Sequence, residues 1–241
     1  MKLIKLSIII PVYNEAATVR LILDKIKAVQ LINNIEKEFV IIDDGSQDDS
    51  KALVNTFIKE NPSLAIQYHE HEKNQGKGAS IHTGISKATG EYLIIQDADL
   101  EYDPEEYNLL LQPVLDGVAD IVYGSRFLNK KGKRTSYFWH YNANKFLTFL
   151  SNLFSGLRLT DMETCYKLLE TEMMQSIQLT EKRFGFEPEV TAKISRIKNL
   201  RLKEVGISYE SRQYNEGKKI GWKDGVRAMY CILKYGLFRM N

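Results

Sequence analysis

The stretch YLIIQDADLEYDPEEY, Tyr92 to Tyr107, constrains the chain most, because an apolar run ends abruptly in alternating carboxylates. Tyr92, Leu93, Ile94 and Ile95, bounded by Gly90 and by polar residues, read as a short strand buried on both faces of a parallel sheet. In an open α/β sheet the ligand crevice lies outside the carboxyl ends of the strands, so Asp97, Asp99 and Glu101 emerge where a ligand is expected. Three neighbouring acids repel one another unless something positive sits among them. A hard divalent cation such as Mg²⁺ or Mn²⁺ answers that need, since it takes oxygen ligands and bridges carboxylates to phosphates. A solvated acidic turn leading into a helix is the plainer reading, with Asp103 as N-cap, Pro104 at the first helical position and Glu105 and Glu106 in the first turn. That reading is taken for Asp103, Glu105 and Glu106; for Asp97 and Asp99 both stand open.

The preceding sequence repeats the pattern. Leu6–Val12, Glu38–Asp43, Leu64–Tyr68 and Glu91–Gln96 read as strands, while residues 15–29, 48–59 and 77–88 carry helical periodicity. Such alternation predicts right-handed crossovers and a mostly parallel sheet flanked by helices, the α/β class. Each strand ends in polar residues: Pro11-Val12-Tyr13-Asn14-Glu15, then Asp43-Asp44-Gly45-Ser46, then Asn74-Gln75-Gly76-Lys77-Gly78. Carboxylates accept from the ring N–H of a base, glycine lets a ligand approach the backbone, and Lys77 offers charge to phosphate. Four such loops at four successive strand ends form one expected crevice.

With 241 residues and 44% hydrophobic content, one core is expected, residues 1–241 forming a single domain with a binding half to residue 124 and a second half from 125. A formal charge of +2 gives no electrostatic case for nucleic acid. Cys165 and Cys231 have neither disulfide-framework nor metal-knuckle spacing, which suits a reducing, cytoplasmic setting. No secretory leader and no apolar window long enough to span a bilayer is read. The four histidines lack ligand spacing and there is no serine elbow, so covalent hydrolysis has little support.

Together, SIIIPVYNE, IIDDGSQDDS, NQGKGASIHTGISKATGEYLIIQDADLEYDPEE and VYGSRF resemble the inverting glycosyltransferases of family 2, which have the GT-A fold, and within them the polyprenyl-phosphate sugar transferases of the dolichyl-phosphate mannose synthase type. The resemblance implies that Pro11, Tyr13, Glu15 and Asp44 border the nucleotide base and ribose. It also implies that Asp97-Ala98-Asp99 binds a divalent metal, Mg²⁺ or Mn²⁺, on the diphosphate of a GDP-mannose or UDP-glucose type of donor. Glu101 stands where relatives often carry Gln, as a third metal ligand. Arg126, at the end of the strand Ala119–Tyr123, matches an arginine that helps hold phosphates, as its planar donors suit. The segment 159–167, LTDMETCYK, resembles the loop near the acceptor, with Asp161 ordering the loop or orienting the acceptor and Lys167 seeing phosphate or lying on a strand surface. Glu187 and Glu189 resemble the start of a helix that closes the site, or are helix-start acids.

The last strand is read as ending through Ile207–Tyr214, followed by a basic loop in which Gly217 and Gly221 permit closure and Arg212 and Lys218 grip phosphates. Two apolar stripes, residues 137–154 and the amphipathic helix Trp222–Phe238 with Lys223, Arg227 and Lys234, suit either core packing or peripheral contact with anionic lipid. The expected activity is metal-assisted transfer of sugar to polyprenyl phosphate at the cytoplasmic membrane face, through peripheral contact or a separate membrane partner. Its acceptor is already anionic and asks little of a protein base. A family 2 enzyme acting on a sugar hydroxyl, with a carboxylate base such as Asp161, and a non-catalytic nucleotide-sugar-binding module are the alternatives.

Overall fold

Seven strands, β1 Lys5–Val12, β2 Glu36–Asp43, β3 Ala65–Glu70, β4 Tyr92–Ile95, β5 Ile121–Ser125, β6 Lys167–Glu170 and β7 Leu202–Gly206, form one sheet. Their order is β3-β2-β1-β4-β6-β5-β7, and every pairing is parallel except those of β6, which runs antiparallel to β4 and β5. The computed structural model describes residues 3–128, 138–211 and 222–237, apart from the side chains of residues 138–140 and 222–223. Ile8 to Ile10, Phe39 to Ile42 and Leu93 to Ile95 are fully or almost fully buried, as continuous apolar strands in a sheet covered on both faces must be.

Helices α1 Val19–Ala28, α2 Ser50–Glu60, α3 Lys77–Lys87 and α4 Tyr107–Leu115 make the crossovers; α5 Phe138–Ser155, α6 Thr171–Ser176, α7 Phe186–Ile194 and α8 Trp222–Leu237 belong to the second half. Helix α1 starts at Val19 rather than Glu15, because Asn14 takes a left-handed φ of 49° and the Glu15 amide donates to Ser50 Oγ at 2.8 Å, holding residues 14–18 as a turn. The last strand ends at Gly206, earlier than its apolar and aromatic continuation suggests. Beyond Ile207 the amides turn to acids: Ser208 N donates to the Glu106 carboxylate at 2.9 Å and Glu210 N to the Glu101 carbonyl at 3.0 Å.

From β1 the chain winds toward β2 and β3, whereas β4 and β6 lie on its other side, so the sheet reverses between β1 and β4 and the crevice opens there. Helix α8 buries Ala228, Cys231, Ile232 and Tyr235 and packs on α5 and α7. It leaves Val226, Tyr230 and Leu237 exposed, as α5 leaves Phe146, Phe149 and Leu153. Among the described residues no helix is long and apolar enough to cross a membrane.

Candidate active site

The acid turn is anchored by a residue that carries no charge. Gln96, fully buried, donates its backbone N–H to Ile9 O at 2.9 Å, and its side-chain Oε1 accepts from Tyr107 at 2.7 Å and Tyr166 at 2.6 Å. Tyr102 packs on Tyr166 with ring centroids 4.7 Å apart and on Tyr209 at 5.2 Å, so an aromatic wall fixes the backbone on which the acids stand. Asp99 Oδ1 accepts from Glu101 N at 3.0 Å. Glu101 Oε2 accepts from Tyr209 OH at 2.9 Å, which ties the third acid to the aromatic wall. Among the described residues no three His, Cys, Asp or Glu side chains gather as a metal-holding group. The Asp97 and Asp99 carboxylates stand two residues apart at this turn, an oxygen-donor pair that a hard cation fits.

A protein cation already neutralises the first of them. Lys77 Nζ lies 2.7 Å from Asp97 Oδ1 and 4.0 Å from Glu187 Oε1. Burial pulls the pKa of Lys77 down, but the Asp97 carboxylate, with Cys165 and Glu187, more than reverses this and raises it well above the ordinary lysine value. Lys77 opens α3, where its flanking glycines are required: a Cβ on Gly76 or Gly78 would come within 2.5 or 2.3 Å of the carbonyl oxygens of Lys182 and Glu181. Ala79 N donates to Lys182 O at 3.0 Å, closing residues 181–183 over the helix start.

The expected nucleotide side is laced together by its own loops. Asn14 N donates to Ser46 Oγ at 3.1 Å, Gln47 N to Asn14 Oδ1 at 2.8 Å and Ala16 N to Asp48 Oδ2 at 3.0 Å. Pro11, Tyr13 and Glu15 are half-buried on this rim. Asp44 is buried and committed within the protein, with His71 Nδ1 2.7 Å from its Oδ1, Gln75 N donating to the same oxygen at 2.9 Å and Gly76 N to Oδ2 at 2.7 Å. It ties the β3–α3 loop to the end of β2. Ala98, between the two acids, is buried.

On the other side, Arg126 is not a surface ion pair. Its Nε and Nη2 donate to Asp161 Oδ2 and Oδ1, both at 2.7 Å, and its backbone N donates to Oδ2 at 3.0 Å. The Arg126 guanidinium also lies 5.0 Å over the Tyr209 ring. Asp161 is 0% exposed, and Glu204 of β7 takes the amides of Thr160 and Asp161 at 2.8 to 3.1 Å. Lys167 is neither a phosphate contact nor a strand-surface residue: it is fully buried, with Nζ donating to the carbonyls of Met162, at 3.1 Å, and Thr164. Burial lowers its pKa. Glu189 is likewise no ordinary helix-start acid, since it is buried and accepts from Thr180 N at 2.9 Å, Glu181 N at 2.8 Å and Lys193 Nζ at 3.0 Å.

Gln96, Tyr209, Glu204 and Glu181 carry structural work that sequence reasoning did not assign. A buried amide and a tyrosine have no periodic signature, and Glu181 and Glu204 find their partners only after distant segments meet. Arg212, Lys218, Gly217, Gly221 and the basic residues 130–134 lie outside the described residues.

The mixed sheet that reverses between β1 and β4, with the acid pair after β4 and the clamped guanidinium after β5, has the GT-A fold, and the chain is a glycosyltransferase. It belongs to glycosyl transferase family 2, whose pattern matches residues 7–177. In sequence it is similar to dodecaprenyl-phosphate galacturonate synthase of Rhizobium johnstonii, 22% identical over 215 residues, which cover 89% of this chain and 62% of that protein. It is also similar to undecaprenyl-phosphate mannosyltransferase of Micrococcus luteus, 28% identical over 239 residues, covering 95% of this chain and 93% of that one. The chain thus spans less than two thirds of the galacturonate synthase. In fold it is similar to glucosyl-3-phosphoglycerate synthase from Mycobacterium tuberculosis, crystallised with Mn²⁺, UDP and phosphoglyceric acid, with a TM-score of 0.70 at 15% identity over 96% of this chain and 78% of that one.

Proposed function

We propose that this glycosyltransferase moves a sugar from a nucleotide diphosphate to a polyprenyl phosphate. The observation that carries this reading is the Arg126–Asp161 pair: the carboxylate expected to serve as a base for a hydroxyl acceptor has both oxygens bound to a guanidinium. That arrangement suits an acceptor needing positive charge rather than deprotonation, as a phosphate does, and disfavours a sugar hydroxyl. The named sequence relatives act on polyprenyl phosphates, which supports the same choice.

In this reading Pro11, Tyr13 and Glu15 border the base and ribose, and Asp44 acts by holding the Gln75–Gly76 backbone against them. Asp97 and Asp99 would hold Mg²⁺ or Mn²⁺, which would supply positive charge for the donor diphosphate. Lys77 keeps Asp97 compensated and oriented. Arg126 turns toward phosphate a charge whose direction Asp161 fixes, so that catalysis rests on orientation and electrostatic stabilisation. Arg212 and Lys218 are assigned to the phosphates from the family resemblance. The exposed residues Phe146, Phe149 and Leu153 of α5 with Val226, Tyr230 and Leu237 of α8 make the peripheral contact with lipid. Incubation with radiolabelled UDP- and GDP-sugars, polyprenyl phosphate and Mn²⁺ is expected to give an organic-extractable, mild-acid-labile product. Transfer to a free glycan with none to polyprenyl phosphate overturns the proposal.

A further inference from the structure

One acid of the site has been left without work. Glu163 Oε1 is buried and has no hydrogen-bond partner. Its neighbours are engaged: Asp97 by Lys77, Asp161 by Arg126, Glu101 by Tyr209 and Glu204 by two amides. The nearby base does not serve it either, because Lys167 Nζ is bound by the carbonyls of Met162 and Thr164, the residues on either side. Lys167 therefore fixes the backbone that carries Glu163 and leaves the carboxyl to face something else. Glu163 lies within electrostatic reach of Glu187, Lys167, Arg126 and Asp161. Glu187 is 4.0 Å from Lys77, which binds Asp97, so the charges that act on Glu163 include members of both the Lys77–Asp97 cluster and the Arg126–Asp161 pair.

A buried acceptor with no partner costs about 1–3 kcal/mol, and a rigid support that holds it there is what a ligand-binding group requires. Burial first, then the charge of Glu187, pushes the Glu163 carboxyl up to about 8. The unpartnered oxygen calls for a donor, and a group that can also accept serves the carboxyl in either protonation state. A fully ionised phosphate offers no donor, whereas a hydroxyl donates to the carboxylate and accepts from the acid. We propose that Glu163 is a specificity residue for the donor, its carboxyl bonding a hydroxyl of the transferred sugar. This rests on the reading of the site as a nucleotide-sugar transferase.

Calorimetric titration of the full chain in Mn²⁺ with UDP, UDP-glucose, GDP and GDP-mannose tests it, using wild type, Glu163→Ala and Glu163→Gln. The expected result is that both variants keep nucleoside diphosphate affinity. Nucleotide-sugar affinity falls about tenfold or more in Glu163→Ala and less in Glu163→Gln, which retains a carbonyl acceptor. Unchanged sugar-nucleotide affinity in Glu163→Ala overturns the proposal. Equal loss of both ligands in the two variants also overturns it, since it assigns Glu163 a structural role. If wild type binds the diphosphates and no nucleotide sugar, the transferase reading itself fails and takes this one with it; no behaviour of the variants can imitate that result.

Discussion

At the scale of single residues, charges in this site are held by other charges more than by solvent. Removing one partner of a buried pair leaves the other uncompensated, so Asp161→Asn is expected to destabilise the fold by about 3–5 kcal/mol, read from urea unfolding, and to lower transfer as well. A change below about 0.5 kcal/mol, the range of surface substitutions, means that the pair is not kept in solution. Glu163 sets a pH dependence. Its folded pKa, about 8, lies above that of an unfolded glutamate, so between the ordinary carboxylate range and pH 8 the folded state keeps a proton that the unfolded state has lost. The resulting stability is whole below the unfolded value and is lost as pH rises to about 8. Glu163→Gln, which cannot titrate, is expected to flatten the decline of melting temperature between pH 5 and pH 8; an unaltered decline assigns the slope to other groups.

At the scale of elements, the first four strand ends were legible because continuous apolar runs, glycines and carboxylates are local signals. The second half was less so. β6 is four residues long and begins with a buried lysine, which a sequence gives no reason to place inside. The bases of α8 look lipid-facing by periodicity, yet Arg227 Nη2 is 2.8 Å and Lys234 Nζ 3.5 Å from the Glu181 carboxylate, which also accepts from Tyr235 at 2.9 Å. That partner is over forty residues away in the chain and leaves no pattern in the helix. Residues 181–183 meet α8 through this carboxylate and α3 through their carbonyls. Gly78→Ala, whose Cβ would lie 2.3 Å from Glu181 O, is therefore expected to cost at least about 1–3 kcal/mol and to weaken donor binding through Lys77. Thermal melts and nucleotide titrations check both, and retention of wild-type values shows that the 181–183 segment yields without consequence.

At the scale of the whole molecule, the α5 and α8 stripes give the clean membrane test that the α8 bases do not. Phe149 is 64% and Leu153 66% exposed, so exchanging both for Ser is expected to abolish sedimentation with anionic vesicles while stability changes by less than about 1 kcal/mol. Charge reversal at Arg227 or Lys234 would break the Glu181 cluster and confuse docking with unfolding. If wild type never sediments with such vesicles at low salt, these stripes do not bind lipid unaided and delivery by a membrane-bound partner replaces them.

The position of β6 also governs how the molecule comes to exist. β4 and β5 precede β6 in the chain but touch each other only through it. While a ribosome is still making residues 126–166, both strands have been synthesised and neither has its neighbour, so each presents an open edge to any other nascent chain. The first 124 residues are thus a poor unit for expression, secretion or fragment complementation, and the molecule is born with a seam that only β6 can close.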